Sequence, residues 1–334
     1  FTLLGSRVIR FPFILHSSYP HEILHNWWGN SVYIDYGRGN WAEGLTSYLA
    51  DHLIKEQRGQ GTGHRRDVLQ KYTDYVRHQE DFPLSEFRAR HSPVSEAVGY
   101  GKTLMLFHML RQELGDETFI QGLRELYASY RFRVADYAAV EAVFARTGQR
   151  SLQTFFRQWV ERRGAPVLRI SEVEAKRRDD RHVLAAVIEQ TQADAPYRLE
   201  VPVAVHLQGR EQAWQTRVPV DAARTRIELP LPAAPLRVEV DPQFDVFRRL
   251  HRQEIPPAIS QVFGAERVQI VLPAQAPPAL LQAYRSLAES WQSGRPGQVG
   301  IVLDRDIERL PGDRAIWLFG WRNRWRAQLT RACL

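Results

Sequence analysis

The sequence predicts an α+β protein of several domains: a mostly helical first half, an antiparallel β-sandwich, and a small incomplete α/β unit. Three observations carry this prediction. Apolar residues recur at helical spacing through most of residues 1 to about 163. At Pro166 the pattern gives way to short alternating runs separated by turn residues. Beyond Pro256-Pro257 it changes again, to strand, helix, strand, strand. With 334 residues and 44% apolar content the chain can bury two or three cores. The expected boundaries are 1–163, 164–250 and 258–334.

In chain order, a short strand is expected at Thr2–Ile9. Ser17 and Ser18 offer an N-cap to a helix in which Pro20 suits the first turn and Gly29 marks the end. A second helix starts near Asn40 and runs through Tyr48 to Ile54, followed by a glycine-rich loop at Gly59–Gly63 and a helix over Asp67–His78. The clearest helix is Lys102–Leu114, apolar at Leu104, Phe107, Leu110 and Leu114 and stopped by Gly115. Asp116–Tyr130, Val134–Thr147 and Leu152–Val160 continue the helical pattern. From Val167 onward, strands are expected at Val183–Ile188, Arg198–Leu207, Gln215–Pro219, Arg224–Leu229 and Leu236–Val240. Asp179-Asp180 and Gln208-Gly209 supply turns between them. After the Pro256-Pro257 linker come a strand at Val268–Leu272, a helix at Leu280–Trp291, and strands at Val299–Leu303 and Ala315–Phe319.

Composition excludes several classes. The net charge of +7 comes from 45 basic residues, of which only Lys55, Lys71, Lys102 and Lys176 are lysines. The arginines are scattered and never exceed pairs, whereas a nucleic-acid face concentrates charge in a stripe, so no nucleic-acid partner is expected. Cys333 is the sole cysteine, which excludes an internal disulfide and leaves cysteine out of any metal site in the first half. No run of 18 apolar residues occurs, so no membrane span is expected in this segment. The chain opens on Phe1-Thr2-Leu3-Leu4, which reads as the middle of a strand, and a segment of a longer protein is expected. Any targeting signal would then lie upstream, and the compartment stays open. No motif specifies the oligomeric state or a side-chain preference.

One stretch carries chemistry. His21-Glu22-Ile23-Leu24-His25 places two imidazoles four residues apart on an expected helix, hence on one face about a turn apart. Both can reach one zinc ion, and Glu22 between them is the general base that this pattern uses toward the attacking water. Two surface histidines flanking an ordinary helical Glu would produce the same letters. Catalytic zinc takes three protein ligands. Glu43, on the next expected helix, can complete a His-His-Glu set, and Asp35 competes for that place from a loop. Ser47, one turn after Glu43, is a candidate partner to a ligand. His52, His64, His78, His91 and His108 show no metal spacing and read as surface or satisfied core residues, as do Trp159 and Phe155-Phe156 as core.

HEILHNWWGN followed by NWAEGLTSYLAD resembles the gluzincin aminopeptidases, the group of aminopeptidase N and leukotriene hydrolase. Trp27, Trp28, Gly29, Asn30, Glu43 and Gly44 all fit that group's pattern. Between the second His and the Glu there are 17 residues here, one fewer than in the group, and the shortening falls near Trp41-Ala42-Glu43. Downstream, Gly99-Tyr100-Gly101-Lys102-Thr103 occupies the place of the group's Tyr-Glu-Lys-Gly motif. LQTFFRQWVERRGAPVL and VDPQFDVFRRL match further parts, so the likeness covers residues 1 to about 250.

The resemblance implies a thermolysin-like catalytic half and one zinc ion per chain, held by His21, His25 and Glu43. It implies Glu22 as general base, Tyr100 as hydrogen-bond donor to the oxyanion, and a peptide as substrate, with Lys102 structural. The implied activity is zinc-dependent removal of N-terminal residues from peptides. The loop that anchors a free amino terminus in that group would end just before Phe1, so an endopeptidase or an epoxide hydrolase stays open. A catalytically degenerate scaffold is the alternative from another class, against which Glu22 and Tyr100 both stand. A structural zinc site would favour four protein ligands, often with Cys, and none is near.

Overall fold

The catalytic-motif region folds as helices that meet around one cleft. The computed structural model describes residues 2, 5, 6, 10–77, 79–178 and 181–328 and divides into two units, Phe1–His251 and Arg252–Leu334. The expected strand at Thr2–Ile9, the Asp179-Asp180 turn, His78 and Cys333 lie largely or wholly outside the described residues. Among the described residues, no helix is long and apolar enough to cross a membrane.

The first site helix spans Ser18–Leu24 and is preceded by a 3-10 turn at Pro12–His16. Ser17 stands at the N-cap, but its hydroxyl donates to the Phe13 carbonyl and caps nothing in the helix. The regular helix stops at Leu24, five residues before Gly29, and continues as turns that bond Trp28 N–H to the Leu24 carbonyl. Gly29 has the positive φ of +117° that its position asked for.

The second site helix is continuous but not uniform. It runs through Ala42–Ser47, a π-turn at Tyr48–His52, and Leu53–Gln57. Its start is pinned by Trp41, fully buried, whose indole N–H donates to the Ala135 carbonyl over 2.9 Å. Of the glycine-rich stretch expected as a loop, Gly59 makes the turn with a φ of +73°, while Gly61 already opens the Gly61–Tyr75 helix, where a Cβ would lie 3.2 Å from Glu56 of the preceding helix.

Tyr100 was expected where the Lys102–Leu114 helix opens. The helix in fact starts earlier, at Pro93, where Ser92 and Ser95 form a capping box. It passes through a π-turn at Ala97–Lys102 before the regular Thr103–Leu114 segment, so Tyr100 sits inside a π-turn. Gly99 permits this: a Cβ there would lie 2.1 Å from the Phe87 ring. The helices Asp116–Tyr130 and Tyr137–Thr147 follow, the latter capped by the Asp136 side chain on Ala139 N–H. Val134–Ala135, expected as helix, is instead a two-residue strand, β2, paired in parallel with β1, Tyr33–Ile34.

Two three-stranded antiparallel sheets complete the first unit. One is ordered β3 (Leu168–Arg178), β4 (Arg181–Gln190), β7 (Arg224–Leu231); the other β6 (Trp214–Val220), β5 (Leu199–Leu207), β8 (Pro235–Val240). β3 was not anticipated as a strand, since its run from Arg169 to Arg178 is largely charged. β5 buries Val201, Val203, Val205 and Leu207 at alternate positions, as its sequence pattern required. The chain after β8 returns to the helices. Arg65 donates to the Gln243 carbonyl from Nε and Nη2 over 3.2 and 2.9 Å and pairs with Asp245 at 3.1 Å. His108 Nε2 meets the same Asp245 at 2.9 Å, and Leu250 N–H donates to Thr73 Oγ1 at 3.0 Å.

In the second unit β9 (Val268–Leu272), β10 (Val299–Leu303) and β11 (Ala315–Leu318) form a parallel sheet in the order β10-β9-β11. The helix Pro278–Ser293 crosses over between β9 and β10. Val268, Ile270, Leu272, Ala288 and Phe319 form its core.

Candidate active site

The i,i+4 spacing of His21 and His25 does what a helix requires: both imidazoles project from one face, with Nε2 atoms 3.2 Å apart. Glu43 arrives from the second helix with Oε2 3.3 Å from each of those nitrogens. The one-residue shortening noted before Glu43 does not keep its carboxylate from the two imidazoles. Asp35, the competing candidate, is turned elsewhere: its carboxylate caps Gly37 N–H at 2.9 Å and lies 3.9 Å from Arg38.

This donor set fits a metal ion. Tetrahedral bonds of about 2.0–2.1 Å separate ligand atoms by about 3.3–3.4 Å, and the three atoms here stand 3.2–3.3 Å apart. The outer nitrogens fix the inner ones. His21 Nδ1 meets Asp51 Oδ2 at 3.2 Å, and His25 Nδ1 meets the Trp28 carbonyl at 2.9 Å. With each Nδ1–H donating outward, both Nε2 lone pairs converge beside the Glu43 carboxylate, an arrangement that only a cation or a shared proton relieves. Among the described residues, these are the only three His, Cys, Asp or Glu side chains grouped closely enough to hold a metal ion.

The electrostatics agree. Burial opposes charge on His21, yet the hydrogen bonds to Asp51 and Glu43 push its pKa up to about 9. His25 is likewise raised against the opposition of burial, by Glu43 and the Trp28 carbonyl. Burial acts to raise Glu43 too, but the bonds from His21 and His25 hold its carboxyl far below the usual carboxylate range. A divalent cation competes with a proton for these lone pairs.

Asp51 and Thr46 had gone unnoticed in the sequence. Thr46 is fully buried, with Oγ1 3.3 Å from His21 Nε2 and 2.9 Å from the Ala42 and Glu43 carbonyls, so its single hydroxyl hydrogen is committed to the helix backbone. Ser47 lines the cavity wall, but the hydrogen bond to His21 comes from Asp51, one turn further on.

Glu22 and Tyr100 line the same cavity of about 660 Å³ as His21, His25 and Glu43. The Tyr100 ring lies nearly parallel to His21 with centroids 6.3 Å apart, and its edge packs on Phe87 at 5.8 Å. Burial together with the negative charge of Glu43 raises its pKa, so its hydroxyl remains a donor. The glycine after Glu43 brings the two elements together. A Cβ on Gly44 would lie 2.2 Å from Thr103 Cβ, so only glycine lets the Glu43 helix press against the helix that carries Tyr100. Lys102, by contrast, is wholly buried and donates to the Arg162 carbonyl at 2.6 Å, a structural contact.

Residues 17–159 match the family model described as the peptidase family M1 domain. The chain is 25% identical over 166 residues to aminopeptidase 2, mitochondrial, of Saccharomyces cerevisiae, a match over 46% of this chain and 17% of that protein. It is 24% identical over 164 residues to aminopeptidase N of Lactococcus lactis, over 44% and 18% respectively. The match therefore spans less than a fifth of either relative. Among solved structures, the fold is similar to that of aminopeptidase A of Legionella pneumophila in complex with aspartic acid. The TM-score is 0.54 at 19% identity, covering 70% of this chain and 27% of that one.

Proposed function

From the membership of residues 17–159 in the M1 peptidase family, a zinc metallopeptidase family, we propose that the full protein removes N-terminal residues from peptides. The observation that carries this reading is the convergence of His21 Nε2, His25 Nε2 and Glu43 Oε2 within 3.2–3.3 Å, in one cavity with Glu22 and Tyr100. On this reading residues 1–163 are the catalytic half, 164–250 a β-sandwich that braces it, and 258–334 a further unit outside the chemistry.

A zinc ion held by His21, His25 and Glu43 would supply Lewis acidity toward the scissile carbonyl and lower the pKa of water toward about 7. Glu22 takes the proton of the attacking water and passes it to the leaving amine. Tyr100 donates to the oxyanion as charge develops there. Asp51 and the Trp28 carbonyl hold the two imidazoles in the tautomer that presents Nε2.

The test uses the full-length protein with two substrates, one with a free amino terminus and one N-acetylated. Cleavage of the free one alone is expected. Zinc should be retained in Glu22→Gln with turnover abolished, and weakened in Glu43→Gln. Equal cleavage of the acetylated substrate would make the protein an endopeptidase, and no cleavage with zinc bound would make it a scaffold.

A further inference from the structure

The cavity does not end at the metal-site residues. It continues along the second site helix, where Glu43, Ser47, Asp51 and Lys55 all line it. The π-turn at Tyr48–His52 makes this possible, because its wider turn keeps residues four apart on one stripe where a regular helix would rotate them away. The charged groups along this stretch are mostly committed. Asp51 is engaged by His21, and Glu96 takes Lys71 at 3.0 Å and Arg90 at 3.4 Å.

Lys55 differs. Its Nζ lies 2.9 Å from His64 Nδ1, a neutral partner, and among the described residues no carboxylate pairs with it. Since Nδ1 accepts from the ammonium, the imidazole proton sits on Nε2, which is buried without a partner among the described residues. Burial and the Lys55 charge lower the His64 pKa to about 4, so His64 positions the ammonium without neutralising it. A cation fixed in a cavity wall, with no carboxylate within 4 Å among the described residues, is a recognition point for an anion.

We propose that Lys55, held by His64, anchors a carboxylate of the substrate in the far part of the cavity. The proposal rests on the peptidase reading. Along the helix axis Lys55 stands about 18 Å from Glu43 at 1.5 Å per residue. An extended peptide covers that in about five residues, and fewer once the lysine reaches inward. The favoured substrates are therefore oligopeptides of about four to six residues. They present either a free C-terminal carboxylate or an acidic side chain at that distance.

The test measures binding. The full-length zinc-loaded protein carrying Glu22→Gln is titrated calorimetrically with pentaalanine as the free acid, as its C-terminal amide, and as an amide with Glu in the fourth position. The acid should bind roughly tenfold tighter than the plain amide, the scale of one charge-assisted hydrogen bond. Adding Lys55→Gln should bring the ratio to about one, and Lys55→Glu should make the amide the tighter ligand. Tight binding of the Glu-containing amide assigns the anion to a side chain; tight binding of the acid alone assigns it to the terminus. Equal affinity for acid and plain amide, or a ratio that survives Lys55→Gln, overturns the proposal. Turnover of the same peptides by the unsubstituted protein reads the peptidase proposal separately. An intact ratio without cleavage sinks that reading alone, and cleavage without a ratio sinks this one alone.

Discussion

Replacing Asp51 by Ala should perturb the proposed metal site in two opposing ways, which pH separates. Asp51 orients His21 through a 3.2 Å hydrogen bond, and loss of such a support weakens metal binding roughly 10–100-fold. The same carboxylate is also the strongest influence raising the His21 pKa to about 9 against burial. A cation binding at pH 7 must displace that proton, which lowers apparent affinity by a factor on the order of 10² relative to pH 9. Without Asp51 the His21 pKa falls toward its ordinary value, Glu43 still holding part of the rise, and most of that competition disappears. Affinity in the unsubstituted protein should therefore climb from pH 7 to about pH 9, whereas Asp51→Ala should climb less. At pH 9 the variant should bind zinc roughly 10–100-fold more weakly, and at pH 7 the two should approach parity. Competition against a chromophoric chelator at pH 7, 8 and 9 measures this directly. A gap equal at all three values, or no gap at pH 9, would refute the assignment of Asp51 as the support of His21.

Two further outcomes follow from the geometry. In the full-length protein, Tyr100→Phe should lower kcat roughly 10²–10³-fold with KM little changed, because the lost donor acts on charge that develops only in the transition state. A wild-type kcat would leave Tyr100 as a packing residue between His21 and Phe87. Gly44→Ala should cost about 1–3 kcal/mol, since its methyl would meet Thr103 at 2.2 Å and force the Glu43 helix outward. Calorimetry should show a lower Tm and dialysis a loss of zinc, while an unchanged Tm would mean that Thr103 yields.

The convergence of His21, His25 and Glu43 was legible because its logic is local. Two imidazoles at i and i+4 must share a face, and a Glu on the following helix was one of two acids within reach. What separates Glu43 from Asp35 is also short-range: Asp35 precedes Tyr36-Gly37 and spends its carboxylate on the Gly37 amide. Asp51 was hidden for a different reason. A regular helix would place it about 80° around from Glu43, so periodicity gives no cause to look there. The π-turn at Tyr48–His52 takes back most of that rotation, and nothing in the letters Tyr-Leu-Ala-Asp-His announces a π-turn. The same blindness put Tyr100 at a helix start, when a second π-turn carries the helix through it from Pro93. Strand prediction failed where burial did not enforce alternation. The charged run Arg169–Arg178 joins β4 through backbone hydrogen bonds, which leave no mark on side-chain pattern. The glycine-rich Gly59–Gly63 stretch misled because Gly61 serves close helix contact rather than a turn.

The bond from Arg65 to the Gln243 carbonyl has a temporal meaning. Its partners are 178 residues apart in the chain, and His108 waits 137 residues for Asp245. At about 5–20 residues per second, ribosomal synthesis needs about 10–35 s to deliver Gln243 after Arg65 has emerged. Through that interval the helices that form the cleft exist without their brace. Arg65, which also bonds His52 in the π-turn at 2.9 Å, has that partner from the start but lacks Gln243 and Asp245. The nascent helices therefore present unsealed apolar surface until the segment after β8 arrives, which makes this stretch of translation the point at which chaperone capture or a pause in elongation bears most on the yield of folded protein.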